Sequence, residues 1–177
     1  FTKDSIKPEQ LFNKCYAVIA LAGNGGANGD CDVDGIDGGT SGYVRQLFNA
    51  NELTSDEAIC GWGDDGIATF IFNNYDAAHP MLRGFYYRLY TSIAMCNQYL
   101  GEFTDVDPVM TAEVRFLRAM SYYHLMDCWG NIAFTTEISS TAPERYERKQ
   151  VFEWLEKELK EIEPAMSPAA PKQGGQA

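Results

Sequence analysis

Apolar residues return every three or four positions in four stretches of the chain, and this spacing predicts four amphipathic helices. The first, over 9–22, starts beside Pro8, a residue suited to a first helical turn, and stops before Gly23; Leu11, Cys15, Val18 and Ala22 share its buried face. The second, over 80–100, opens at Pro80, carries Leu82, Tyr86, Leu89, Ile93, Cys96 and Leu100 on one side, and closes at Gly101. The third, over 112–129, is expected to be capped by Thr111, with Glu113 favoured in its first turn by the helix dipole. Its stripe is Val114, Leu117, Ser121, His124, Leu125 and Cys128, and Gly130 ends it. The fourth, over 149–163, turns Val151, Leu155, Leu159 and Ile162 inward, pairs Glu156 with Lys160 one turn on, and is stopped by Pro164.

Between these helices the pattern weakens. From Gly23 to Asn49 glycine, asparagine and aspartate predict mostly loop, and residues 51–79 fit either a short helix or two short apolar stretches. The second and third helices, joined by "EFTDVDP", form a helical hairpin, and the last three helices are expected to pack as one bundle. The tail "SPAAPKQGGQA" offers the fourth helix no partner, so a further matching helix is expected beyond it.

Composition narrows the function. The chain has 177 residues, 45% of them hydrophobic, which is enough for a real core. A net charge of −11 repels phosphate backbones and anionic lipid, so nucleic acid is excluded as a partner. No run of eighteen apolar residues appears, and any export signal is expected to have been removed or to lie upstream. The five cysteines, Cys15, Cys31, Cys60, Cys96 and Cys128, form no C-x-x-C pair; their odd number cannot complete a disulfide framework, and most are expected to be small buried hydrophobes. His79 and His124 have no ligand spacing to a partner, and His124 falls in an apolar helical run, where a packed role is expected.

One stretch invites a metal. "GDCDVDGIDGG", at 29–39, places Asp30, Asp32, Asp34 and Gly35 as a calcium loop of the EF-hand type would. Position twelve is Ser41, which has no carboxylate to complete the shell, and Gly38 stands at position nine. The expectation is therefore a turn-rich acidic loop, with no metal and no cofactor.

"AEVRFLRAMSYYHLMDCWGNIAFTT", at 112–136, with "VFEWLEKELKEIEPAM" after it, resembles the SusD/RagB family of outer-membrane glycan-binding lipoproteins. "NELTSDEAICGW" and "FYYRLYTSIAMCNQYL" fit the same family in the same order, and "GIDGGTSGYVRQLFNANELTSDEA" looks like its starch-binding branch. The resemblance implies an all-α fold of tetratricopeptide-like helix pairs with a long irregular loop region. Residues 1–177 would then be the N-terminal portion of a single, larger SusD-like domain, with ligand-site loops at 23–79 and a helical bundle at 80–164. It implies a surface-exposed protein, lipid-anchored in the outer membrane through a cysteine upstream of this chain. Such a protein binds starch or another α-glucan and passes oligosaccharides to a SusC-like TonB-dependent transporter.

The positions that match that branch's ligand contacts are Asp37, Arg45, Trp62 and Asp65, the last standing where the family offers an amide. The residue types suit a glucan, which needs an aromatic platform for its C–H faces beside donors and acceptors for its hydroxyls. Gly61 and Gly63 would leave both edges of Trp62 open. The residues alone allow other roles: Trp62 as a core tryptophan at a tight turn, Asp65 as the cap of a helix starting at Gly66, Arg45 as a solvated side chain. Two other classes compete, a helical-repeat scaffold that binds protein and a glycoside hydrolase using Asp64 with Asp65 or Asp56 with Glu57. Adjacent carboxylates rarely address one bond, and no catalytic motif is present, so no enzyme activity is expected.

Overall fold

The computed structural model describes residues 5–23 and 31–167. Its elements in order are α1 (Pro8–Ala20), α2 (Tyr43–Glu52), α3 (Ile67–Ile71), α4 (Pro80–Phe103), α5 (Pro108–Trp129), β1 (Ile132–Phe134), β2 (Glu144–Tyr146) and α6 (Arg148–Ile162), followed by a 3-10 turn at Glu163–Ala165. The fold is mainly helical, with one two-stranded antiparallel hairpin in which Ala133 pairs with Arg145. The four long helices stand where the apolar period places them. The chain divides into two compact units, Asn13–Met95 and Phe1–Phe12 with Cys96–Ala177.

In the first unit the period is read correctly on α1, where Cys15, Val18 and Ala22 are buried. Arg88, on α4, is 1% exposed. Its Nε donates to the Ser41 carbonyl at 3.0 Å, one terminal nitrogen to the Val18 carbonyl and the Asp32 carboxylate, and the other to the Ala22 carbonyl and Ser41 Oγ. All five donors of the guanidinium are thereby used. Beside this hub, Leu53, Ile67, Phe70 and Met81 form a small core. His79 is also buried, its Nδ1 accepting from the Leu82 amide while Nε2 lies 3.1 Å from the Gly66 carbonyl and 3.0 Å from Thr69 Oγ1.

In the second unit α5 packs on α6 and on β1. Tyr122 brackets Thr135, donating to its carbonyl at 2.6 Å and accepting from its amide at 2.9 Å. Phe134 is stacked on Tyr146 across the hairpin and meets Trp154 edge-on. Beneath them Arg118 donates to Asn97 on α4 and to Glu158 on α6, and Arg115 forks onto Glu158 and Glu161. Burial alone would raise the Glu158 pKa, but the hydrogen bonds from Arg115 and Arg118 outweigh it and hold the carboxyl below its ordinary value of 4.5.

Several expectations are corrected. The segment read as loop up to Asn49 contains α2. Gly101 does not close α4, which runs two residues further. The cap of α5 is Asp107, not Thr111: its Oδ1 accepts from the Val109 and Met110 amides, with Pro108 in the first turn, while Thr111 lies inside the helix. Leu159 is 41% exposed and Cys128 is exposed, so neither belongs to its helix's buried face, while that of α5 also takes in Ala112, Arg118, Ala119, Tyr122 and Met126. Of the other cysteines, Cys15 and Cys96 are buried and Cys31 and Cys60 half-buried. His124 is half-buried, and burial lowers its pKa against a smaller opposing effect of Asp127.

Replacing Arg88 with methionine is expected to cost about 3–5 kcal/mol, because Asp32 and three backbone carbonyls lose their donor together. Urea unfolding measures this, and a loss below about 1 kcal/mol would show that water replaces the guanidinium. Glu158 has a folded pKa below its unfolded one, so its contribution is present above the ordinary carboxylate range and is lost as pH falls through the depressed value. Acid unfolding of Glu158→Gln should therefore show a flatter dependence of stability on pH below about 4.5 than the parent chain does.

Candidate functional site

The loop leaving α1 is fixed before it reaches the solvent. Gly23 bridges to Cys31, Asp32 is held by Arg88 with Lys14 at 3.9 Å, and Val33 is buried. Gly35 then turns with φ +74°, its carbonyl accepting from Arg83 at 3.0 Å. Ile36 settles onto α4 at Gly84, the only kind of residue whose missing Cβ leaves room for it. Asp37 closes the turn: its Oδ1 accepts from the Gly39 amide at 2.8 Å and its carbonyl from Thr40 Oγ1 at 3.0 Å. Gln46 of α2 reaches back to the Thr40 carbonyl from below.

From α2 Arg45 spans the loop and the segment before α3. One terminal nitrogen donates to the Gly39 carbonyl at 2.7 Å and the other to Asp64 Oδ2 at 2.9 Å. The guanidinium thus held lies over the Trp62 ring, 4.7 Å from its centroid. Trp62 is 65% exposed, and its neighbours Gly61 and Gly63 have nothing within 4 Å of where a Cβ would stand. One indole face rests against Arg45 and the other is open. Next to this pair is a cavity of about 210 Å³ lined by Ile36, Asp37, Thr40, Asp64 and Asp65, with Met81 at its side.

The four residues singled out in the sequence therefore share one locale. Arg45 and Trp62 stack on each other, Asp37 and Asp65 line the same cavity, and Asp64 connects the two groups. Trp62 is not a core tryptophan. Asp65 does not cap α3 either, since the cap is Gly66, at φ +98°, with no side-chain bond. Among the described residues no hydrogen bond or ion pair engages Asp65. Arg45 is half-buried and doubly anchored rather than merely solvated. Asp64 entered the sequence reading only as half of an improbable catalytic pair; its contact with Arg45 is long-range and has no sequence spacing to reveal it.

The arrangement offers a largely exposed aromatic ring, a fixed guanidinium with N–H groups to spare, and acceptor oxygens beside it. No family model matches the chain. The starch-binding protein SusD of Bacteroides thetaiotaomicron is 31% identical over 170 residues, which cover 93% of this chain and 31% of that protein. Surface glycan-binding protein A from Bacteroides fluxus superposes with a TM-score of 0.63 at 19% identity, over 95% of this chain and 33% of its own. A SusD-like carbohydrate-binding protein from Bacteroides fragilis gives 0.65 at 16%, over 96% and 34%. These two structures speak to the fold alone. The chain belongs to the SusD-like family and spans about a third of the length of these relatives.

Of the residues that suggested a calcium loop, Gly29 and Asp30 lie outside the described residues, and Asp32 is committed to Arg88. Among the described residues no group of three or more histidines, cysteines or carboxylates is placed to hold a metal. Millimolar calcium is accordingly expected to leave the thermal midpoint unchanged; a rise that saturates in the micromolar range would overturn this.

Proposed function

We propose that this chain is part of a cell-surface glycan-binding protein whose ligand, starch or a related α-glucan, lies on Trp62 and is held at its hydroxyls by Arg45, Asp37 and Asp65. The observation that carries the reading is the exposed indole with Arg45 fixed over one face beside the acidic cavity. A sugar ring stacks on the open face. The N–H groups of Arg45 not used by Gly39 and Asp64 donate to its hydroxyls, and the carboxylates accept from others. The relatives' names, starch-binding and surface glycan-binding, support the ligand class. Binding takes place without turnover in this reading, since the Asp64 carboxylate is occupied by Arg45 and the adjacent pair Asp64 and Asp65 is poorly placed to address one bond.

In this reading residues 1–177 are the N-terminal part of one SusD-like domain. The protein sits on the outer membrane by a lipid anchor outside this chain and hands oligosaccharides to a SusC-like transporter. Among the described residues no helix is long and apolar enough to cross a membrane.

Trp62→Ala is expected to weaken binding of maltooligosaccharides at least about tenfold, the scale of an aromatic anchor at an interface. Because the ring is exposed, folding should change by no more than about 1 kcal/mol, against roughly 3–5 kcal/mol for a core tryptophan. Titration calorimetry and thermal melting of the same two proteins measure both. A large fall in melting temperature with unchanged glycan affinity would remove Trp62 from the site.

A further inference from the structure

The charge around Trp62 is lopsided. Asp37, Asp64 and Asp65 all line the one cavity. The guanidinium that meets them, Arg45, already neutralises Asp64 at 2.9 Å. Of the other cations at the loop, Arg83 is turned to the Gly35 carbonyl, and Arg88 and Lys14 stand at Asp32 rather than at the cavity. Among the described residues Asp65 has no bonding partner, and the side chain of Asp37 accepts only the Gly39 amide. The whole chain adds a net charge of −11 to the field at this surface.

An ionised carboxylate can only accept hydrogen bonds. It takes one from a sugar hydroxyl and a stronger, charge-assisted one from an ammonium group, and it repels another carboxylate or a sulfate. From this we propose that the site sorts glycans by charge, favouring chains that carry a protonated amine and rejecting chains that carry carboxylate or sulfate groups. The inference rests on the glycan-binding reading above and adds the class of sugar that the surface accepts. Arg45 does not rescue an anionic sugar, because its own charge is met by Asp64. Its two anchors also hold it over the indole, so it cannot swing out to a carboxylate without giving up the stack.

The test uses three α-linked glucose oligomers of one length: unmodified, with 6-amino groups in place of 6-hydroxyls, and oxidised to 6-carboxylates. Each is titrated into the full-length protein at a pH where the amine is protonated. The aminated oligomer should bind about fivefold tighter than the neutral one, equal to roughly 1 kcal/mol at an exposed contact. The carboxylated oligomer should bind weaker by a similar factor. Added salt should shrink both differences and spare the neutral sugar. Asp65→Asn should lower the ratio of aminated to neutral affinity, with its melting temperature serving as the control for folding. Equal affinities, or tightest binding of the carboxylated oligomer, would overturn the charge selection while leaving the glycan reading intact. Silence toward all three would overturn both.

Discussion

A guanidinium shut away from water has to find a partner for each of its N–H groups, and at Arg88 the search ends on the two chain segments that flank the loop after α1. Val18 and Ala22 mark where the helix ends, and Asp32 and Ser41 are the two sides of the loop. Each contact is to a backbone carbonyl, a hydroxyl or one carboxylate, so the charge is dispersed and only one counter-ion is needed. Such a cluster fixes geometry more than it adds stability, since removing a charge from water costs several kcal/mol before any bond is formed. What it fixes here is the path of residues 32–41, and through them the positions of Asp37, Gly39 and Thr40. The candidate site is built on the far side of this anchor.

The other unit uses a related device less completely. Arg118 is also buried and reaches Asn97, the Thr136 carbonyl and Glu158, yet its Nε has no partner. Its charge is balanced by a carboxylate shared with Arg115 and by the face of Trp154 at 5.5 Å. The two units thus each place an arginine from a long helix at their centre. Arg88 organises a loop, and Arg118 ties α4, α5 and α6 together at one polar point inside an aromatic cluster.

Much of this was legible in the sequence, and the failures have physical reasons. Long helices announce themselves because burial selects apolar residues at their period; the stripe of α1 was read residue by residue, and that of α5 in part, since Arg118, Ala119, Tyr122 and Met126 are buried beside it. Helix α2 escaped because its buried residues are Tyr43, Gln46 and Asn49, while its apolar Val44 and Phe48 face solvent. A search for apolar periodicity cannot find a helix whose inward face is polar and whose packing is made by amide side chains. The hairpin escaped because three-residue strands are too short for alternation to register. Nothing local in the sequence singles out Arg88 or Arg118, because their donors are met by groups distant in the chain. At the candidate site the residue types were visible, and family resemblance gathered them. The stacking of Arg45 on Trp62 and the part played by Asp64 needed three dimensions.

Gly84 does not line the candidate cavity, yet the side chain of Ile36 occupies the space that a Cβ there would take. The helix is thus notched, and the loop is seated in the notch by a single isoleucine. A methyl group at position 84 would lift Ile36 off the helix and tilt the adjoining turn, carrying Asp37 away from Asp64 and Asp65. The width of the candidate cavity is therefore set from behind, by the smallest residue on a buried helix face. Enlarging this one residue would reshape the candidate cavity from outside its lining.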